Sequence, residues 1–260
     1  MPVISIHDRA ELARRFRRDP DLHIYELGDL DDFFWPHTTW YGTADGDATV
    51  LVYSGTVPAT VLGLSRSDGD AELRRLLTDL LPLLPRQFYG HITGGAEAVF
   101  EADYVTDGGA LHFKMALTDV NALRAAPEMA KAELLTVADR GDVEALYAAS
   151  YPGNWFDPRM LETGQYVGAR RDGELVAVAG VHVYSPAQRV AALGNVTTRP
   201  DLRGSGLATA AVIGLCAQLR DSVDHIGLNV KADNVAAINL YSRLGFTPVA
   251  EYIEAGFVAG

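Results

Sequence analysis

The chain has 260 residues, 48% of them apolar and 22% charged, with a formal net charge of −12. That length fits one large domain or two of about 120–130 residues, and the apolar share excludes wholesale disorder. The acidic balance argues against a nucleic-acid partner, which needs a basic face, and the lone cysteine, Cys216, excludes an internal disulfide and a cysteine-based zinc site.

An acidic surface suits a cationic amine, although many proteins are acidic simply for solubility. No apolar run approaches the roughly 18–20 residues of a membrane span. The opening residues, Met1 to His7, lack a basic segment followed by an apolar core. The expectation is a cytoplasmic chain with no membrane partner and no metal, as monomer or homodimer.

In the first half, Arg9 to Arg18 reads as a helix. Phe33 to His37, with Trp40 and Tyr41, forms an aromatic run that is read as interface core, with the wall of a pocket as the alternative. Thr49–Tyr53 and Ala59–Leu64 read as strands around the turn Ser54-Gly55. Asp70 to Leu84 has Leu73, Leu76, Leu77, Leu80 and Leu84 on one helical side. Phe88 to Ile92 is a strand, Ala96 to Glu101 a short helix, and Ala110 to Leu117 a strand. Thr118 to Glu128 is polar, contains a proline, and is the best linker candidate.

In the second half, Glu133 to Val137 reads as a short strand. Asp139 is a candidate cap for a helix over Asp142 to Ser150, and Pro152-Gly153 breaks it. Asn154 to Glu162 is read as a second short helix. Gln165 to Ala169 and Leu175 to Tyr184 are strands joined by an Asp-Gly hairpin turn. Arg189 to Val196 returns as a third. The next helix repeats Ala208, Val212, Leu215, Leu219 and Val223 on one face. Cys216 lies on it and is read as a small core residue. Asp224 to Lys231 is a strand. A last helix runs from Asn234, a good N-cap, to Gly245, a good C′ residue, and a strand over Val249 to Phe257 follows. A strand–helix–strand crossover after a meander predicts a mixed α/β sheet. The first half echoes this order, which suggests an internal duplication.

The loop Arg203 to Ala208 opens a helix with Gly204 and Gly206. Helix starts carry N–H groups without intrahelical partners and partial positive charge, and glycine permits close backbone approach. The loop therefore reads as an anion site. Arg203-x-x-Gly206-x-Ala208 is similar to the Arg/Gln-x-x-Gly-x-Gly/Ala pattern of the GNAT superfamily of N-acetyltransferases. Asn234-x6-Tyr241-x2-Leu244-Gly245-Phe246 resembles that family's next landmark. The clear resemblance covers about residues 130–258.

The resemblance implies a mixed, mostly antiparallel central sheet flanked by helices, in two tandem lobes. Residues 1–125 would be a degenerate lobe without the cofactor motif, and 130–260 the catalytic, acetyl-CoA-binding domain. It implies transfer of an acetyl group from the co-substrate acetyl-CoA to a primary amine by direct attack in a ternary complex. Arg203, Gly204, Ser205, Gly206, Leu207 and Ala208 would hold the pyrophosphate through backbone donors. Val196, Thr197 and Thr198, on the strand before the loop, would face the pantetheine. Asn234 would cap its helix or contact the cofactor, and Tyr241 would be the acid that protonates the leaving thiolate. No Glu or Asp stands on Val190 to Val196, where some relatives place a base, so Asp157, Glu162 and His182 are the candidates. Trp155 and Phe156 would line an acceptor pocket or belong to the core. Phe100 falls where Tyr241 would be in the first half, and Ser65 to Asp70 lacks the glycine pattern. The alternatives are a non-catalytic acyl-CoA-binding module and a transferase with a longer acyl donor.

Overall fold

The computed structural model describes residues 2–44, 46–67, 70–126 and 132–260. In chain order the elements are β1 (Val3–Ser5), α1 (Arg9–Phe16), α2 (Ile24–Gly28), β2 (Thr38–Thr43), β3 (Thr49–Tyr53), β4 (Ala59–Gly63), α3 (Ala71–Leu80), β5 (Gln87–Thr93) and β6 (Tyr104–Leu117). Then come α4 (Val120–Ala125), β7 (Glu133–Leu134), α5 (Arg140–Ser150), β8 (Val167–Arg171), β9 (Glu174–Ser185), β10 (Val190–Thr198), α6 (Leu207–Leu219), β11 (His225–Lys231), α7 (Val235–Arg243) and β12 (Phe246–Ala259). They divide into two compact units that interleave along the sequence. The first comprises Met1–Ala116, Asn229–Ile238 and Pro248–Gly260, and the second Leu117–Leu228 and Asn239–Thr247.

In the first unit the strand order is β1-β2-β3-β4-β5-β12-β6. β3 and β4 pair antiparallel, α3 crosses over, and β5 returns parallel to β4. The leucine spacing explains α3: Leu73, Leu76, Leu77 and Leu80 are all buried, and the Asp70 carboxylate caps the helix by accepting from Glu72 N and Leu73 N. A 3-10 turn at Leu81–Leu83 then ends the helix at Pro82. Phe88, Phe100 and Phe257 pack with ring centroids 4.9–5.4 Å apart in the core. The downstream strand β12 supplies Phe257 and pairs with β5 from Tyr252↔Thr93 to Val258↔Gln87.

In the second unit the order is β11-β10-β9-β8-β7. β8, β9 and β10 form an antiparallel meander, α6 crosses over, and β11 lies parallel to β10. Both units are thus mixed, mostly antiparallel sheets flanked by helices, as the sequence led us to expect. The parallel pairs β4–β5 and β10–β11, each bridged by one helix, are the structural counterpart of the sequence echo.

Several local expectations change. Trp40 is buried against Phe16, whereas Phe33 in the same aromatic run is exposed. Asp139 does not cap α5; its carboxylate closes a capping box with Thr136 around the preceding 3-10 turn. The segment Asn154 to Glu162 forms a 3-10 turn, Pro158–Thr163, rather than an α-helix. Within the linker candidate, Val120–Ala125 is helical under an Asp119 cap, and Pro127 and Glu128 lie outside the described residues.

Candidate functional site

The site begins with a break in strand pairing. β10 pairs with β11 from Val190↔His225 to Leu193↔Leu228, yet it continues to Thr198. On its other side it pairs with β9 as far as Thr198↔Ala177, with two irregularities: one between Ala192 and Leu193, where His182 of β9 is skipped, and one past Gly194. Between the pairs Gly194↔Gly180 and Thr197↔Val178, β10 has two residues, Asn195 and Val196, where β9 has one, Ala179. This is a bulge, and bulges bend and twist a strand away from its neighbour. Asn195 adopts φ +55°, a left-handed conformation that asparagine tolerates better than most side chains. Gly194 is required beside it, because a Cβ there would lie 2.3 Å from the His182 ring.

Two buried tyrosines hold the bulge. Tyr147 of α5 donates its hydroxyl to the Asn195 carbonyl at 2.8 Å, and the Asn195 amide donates to the Tyr166 hydroxyl at 3.1 Å. Burial pushes both phenols above their ordinary range, so both remain protonated, Tyr147 donating to the bulge and Tyr166 accepting from it. The helix expected over Asp142 to Ser150 contains Tyr147, whose role sequence reading missed. The available signal was Gly194-Asn195, a turn-type pair inside a strand.

The predicted cofactor residues on this strand are largely inward-facing. Thr197 and Thr198 are buried and Val196 is half-buried. The Thr197 hydroxyl donates to Ser150 Oγ at 3.3 Å. The Thr198 hydroxyl is buried and has no partner among the described residues. A buried orphan hydroxyl costs free energy unless something hydrogen-bonds it, so it suits a strand segment that takes a polar ligand.

The chain then enters the glycine loop. Gly204 and Gly206 have φ +77° and +83°. Gly206 is the N-cap of α6, and no side chain hydrogen-bonds to the first turn. The N–H groups there are left to a ligand or to solvent. Arg203, Gly204 and Ser205 are exposed and Leu207 is buried in the core. Arg203 also donates to the Ser150 carbonyl at 3.3 Å. The Ser205 hydroxyl donates to the Leu202 carbonyl, which fixes the loop.

Tyr241 on α7 is 8% exposed, and its ring meets Phe246 edge-on at 5.8 Å. Burial raises its phenol above the ordinary range, with Cys216 and Tyr151 adding to the effect. Cys216 is fully buried and its thiol is pushed up to about 12, which fits a core residue rather than a nucleophile. Asn234 groups with the first compact unit, unlike the other candidate residues. Its Oδ1 accepts from Ala237 N at 3.2 Å, so it caps α7.

Among the candidate bases, Asp157 is committed elsewhere. It caps the 3-10 turn by accepting from Arg159 N and pairs with the Arg159 side chain at 2.6 Å, which holds its carboxyl below the usual range. Glu162 is exposed. His182 lies against Gly194, beside the bulge. Phe156 packs against both Tyr147 and Tyr166, at 5.0 and 5.7 Å, whereas Trp155 is exposed. Phe156 helps line a cleft of about 290 Å³ with Tyr147, Pro152 and Asn154.

The first unit supplies an internal contrast. Its parallel pair stays closed through Gly63↔Ile92, and past that point Ser65 N donates to the buried Thr93 hydroxyl at 2.7 Å. Its crossover helix starts with the carboxylate of Asp70 already on the first-turn N–H groups. Phe100, which the sequence echo set against Tyr241, is wholly buried among aromatic rings.

The model of the Acetyltransferase (GNAT) family matches residues 133–246. A mycothiol acetyltransferase of Streptomyces griseus is 36% identical over 94 residues, which are 36% of this chain and 29% of that protein. One from Paenarthrobacter aurescens is 33% identical over 111 residues, 41% of this chain and 32% of that protein. The chain thus matches less than a third of the length of either. Among solved structures, a Drosophila protein superposes with a TM-score of 0.69 over 98% of each chain at 14% identity. A putative GNAT-family acetyltransferase of Novosphingobium aromaticivorans gives 0.59 over 93% of this chain and 98% of its own, at 20% identity. A tandem GNAT protein from the clavulanic acid biosynthesis pathway gives 0.53 over 99% and 98%, at 15% identity. These identities bear on the fold alone.

Proposed function

We propose that this chain transfers an acetyl group from acetyl-CoA to a primary amine, a reading supported by the match of the Acetyltransferase (GNAT) family model to residues 133–246. The observation that carries the reading is the continuous path in the second unit. It runs from the stretch of β10 that has left β11, at Val196, Thr197 and Thr198, to the loop Arg203–Ala208 and the uncapped start of α6. The strand would pair with the pantetheine amides. The N–H groups of the loop would meet the pyrophosphate, where the helix dipole favours an anion. Asn234 is assigned first to capping α7. Cofactor binding and catalysis are assigned to residues 130–260 and not to residues 1–125, although Asn229–Ile238 and Pro248–Gly260 group with the first unit.

In the reaction the amine nitrogen attacks the thioester carbonyl, the C–S bond breaks, and the amine loses a proton. Tyr241 donates a hydrogen bond to the leaving sulfur. A phenol raised above a thiol's reference value near 8.5 does not readily hand its proton over completely. A bond that strengthens as charge grows on sulfur fits the buried phenol better than full transfer. We assign the amine's proton to His182, alone or through a water; it lies against Gly194 beside the bulge, and Asp157 is held by Arg159.

Calorimetric titration with acetyl-CoA, followed by thiol release across an amine panel, tests the proposal. Mycothiol-related acceptors head the panel because the matched relatives bear that name. Absence of binding at millimolar acetyl-CoA refutes it. Binding without thiol release to any amine would favour an acyl-CoA-binding module, and faster release from propionyl- or succinyl-CoA a longer-chain transferase.

A further inference from the structure

The second unit has a pocket at the far end of α6 from the glycine loop. Its volume is about 220 Å³, and it is lined by Leu117, Val120, Arg220, Val223, Asp224 and Ile226. All six residues belong to that unit. Leu117 ends β6, Val120 begins α4, Arg220 is the C-cap of α6, and Ile226 lies on β11. The helix has 13 residues, so a rise of about 1.5 Å per residue sets the pocket roughly 20 Å from the Gly206 N-cap.

One charge in this lining is uncommitted. Arg220 is half-buried, and its guanidinium forms no ion pair or hydrogen bond among the described residues. The end of its helix has other partners. The carbonyls of Cys216, Gln218 and Leu219 accept from the backbone N–H groups of Arg220, Asp221, Ser222 and Val223 at 2.9–3.3 Å. The second charged group in the lining is Asp224, and the Arg189 side chain takes both of its oxygens, at 2.5 and 2.7 Å. That pair is neutral as a unit, so the pocket presents the positive charge of Arg220. A guanidinium does not lose its proton in a protein, so this charge persists at any working pH.

Charge and lining together specify an occupant. A guanidinium fork pairs bidentately with a carboxylate. Leu117, Val120, Val223 and Ile226 carry no polar side-chain atom, so the remainder of a fitting ligand is apolar. A strongly hydrated dianion such as phosphate would give up water against these side chains with nothing in exchange. Benzene fills a cavity of about 150 Å³, so about 220 Å³ accommodates one such ring with a carboxylate attached. We propose that this pocket binds a small apolar monocarboxylate, its charged end on Arg220 and its ring or short chain against Leu117, Val120, Val223 and Ile226. This site is independent of acetyl transfer, and acetyl-CoA plays no part in its test.

The experiment follows para-fluorobenzoate by fluorine NMR with the full chain, using benzoate as competitor. Saturable binding that benzoate displaces is expected. Para-fluorobenzyl alcohol keeps the ring without the charge, and acetate keeps the charge without the ring. Each should bind at least about tenfold more weakly. Inorganic phosphate, which a helix N-terminus favours, should leave the probe bound. Arg220→Gln breaks no bond present in the structure and should lower probe affinity at least about tenfold. Val120→Phe, on the pocket wall, should weaken the probe by filling its space. Melting temperatures report whether both variants fold, and if Arg220→Gln does not, Val120→Phe decides. The proposal is overturned by no saturable binding at millimolar probe, or by an alcohol or acetate that binds as well. Displacement by phosphate, which would put the probe at the glycine loop, also overturns it. So does either variant, folded, that binds like the parent.

Discussion

Replacing Tyr147 with phenylalanine isolates what the bulge in β10 contributes. The hydroxyl donates to the Asn195 carbonyl at 2.8 Å, and both residues are buried. Phenylalanine keeps the ring and its contact with Phe156, so packing is largely retained. The loss is one hydrogen bond, with a carbonyl left buried and unpaired. That costs about 1–3 kcal/mol, or roughly 2–12 °C in melting temperature for a chain of this size. Asn195 already sits at φ +55°, a conformation of limited stability. Freed from Tyr147, the bulge can relax toward regular pairing with β11, closing the edge at Val196 and Thr198. Acetyl-CoA affinity should therefore fall as well, by at least about fivefold if 1 kcal/mol of that cost appears in binding. Thermal unfolding and calorimetric titration measure the two effects separately. A variant that melts lower but binds acetyl-CoA unchanged would refute the claim that the bulge shapes the cofactor strand.

Other predictions concern the same unit and the chain as a whole. Tyr241→Phe should keep acetyl-CoA affinity within about twofold and lower the rate about 10²–10⁴-fold, as read by thiol release. Gly206→Asp places a carboxylate where the first unit has Asp70, and should weaken acetyl-CoA at least about tenfold, whereas Gly206→Asn, neutral and tolerant of positive φ, should weaken it less. Gly245→Ala puts a Cβ 2.0 Å from the Asp119 carbonyl at φ +91°, and should lower the melting temperature more than Gly173→Ala, whose Cβ meets nothing. Tyr25, Tyr147, Tyr166, Tyr241 and Tyr252 are all raised above their ordinary values, chiefly by burial. Above about pH 10 the unfolded chain loses protons that the folded chain keeps, so stability is complete below that pH and falls as pH rises. Phenolate absorbance should therefore appear together with loss of circular dichroism, not before it.

The elements that sequence made legible share a cause. Leu73 to Leu80 on α3, the crossover into β11 and the ends of α7 at Asn234 and Gly245 all declare themselves within a dozen residues. The glycine loop and Tyr241 are local patterns too. What escaped reading depends on partners distant in the chain. α2 has five residues, too few to show a period, and β1 has three. The bulge needs Tyr147 and Tyr166 to explain it. The pocket beyond α6 draws on Leu117, Arg220 and Ile226 from separate elements, each of which looks like an ordinary residue in its own strand or helix. The pairing of β12 with β5 has no signature in either strand, because alternation shows that a strand exists without showing its neighbour.

That pairing has a consequence during synthesis. Tyr89 and Glu254 meet across 165 residues. At about 5–20 residues per second, the ribosome needs roughly 10–30 seconds to deliver the second strand after the first. Meanwhile β5 can align with β4, but the edge that β12 will cover stays open on the nascent chain. An open, apolar edge is a template for pairing with another molecule. A gene cut after codon 125 would make that exposure permanent. The first unit should then need a chaperone, or β12 supplied in trans as a peptide, to remain soluble.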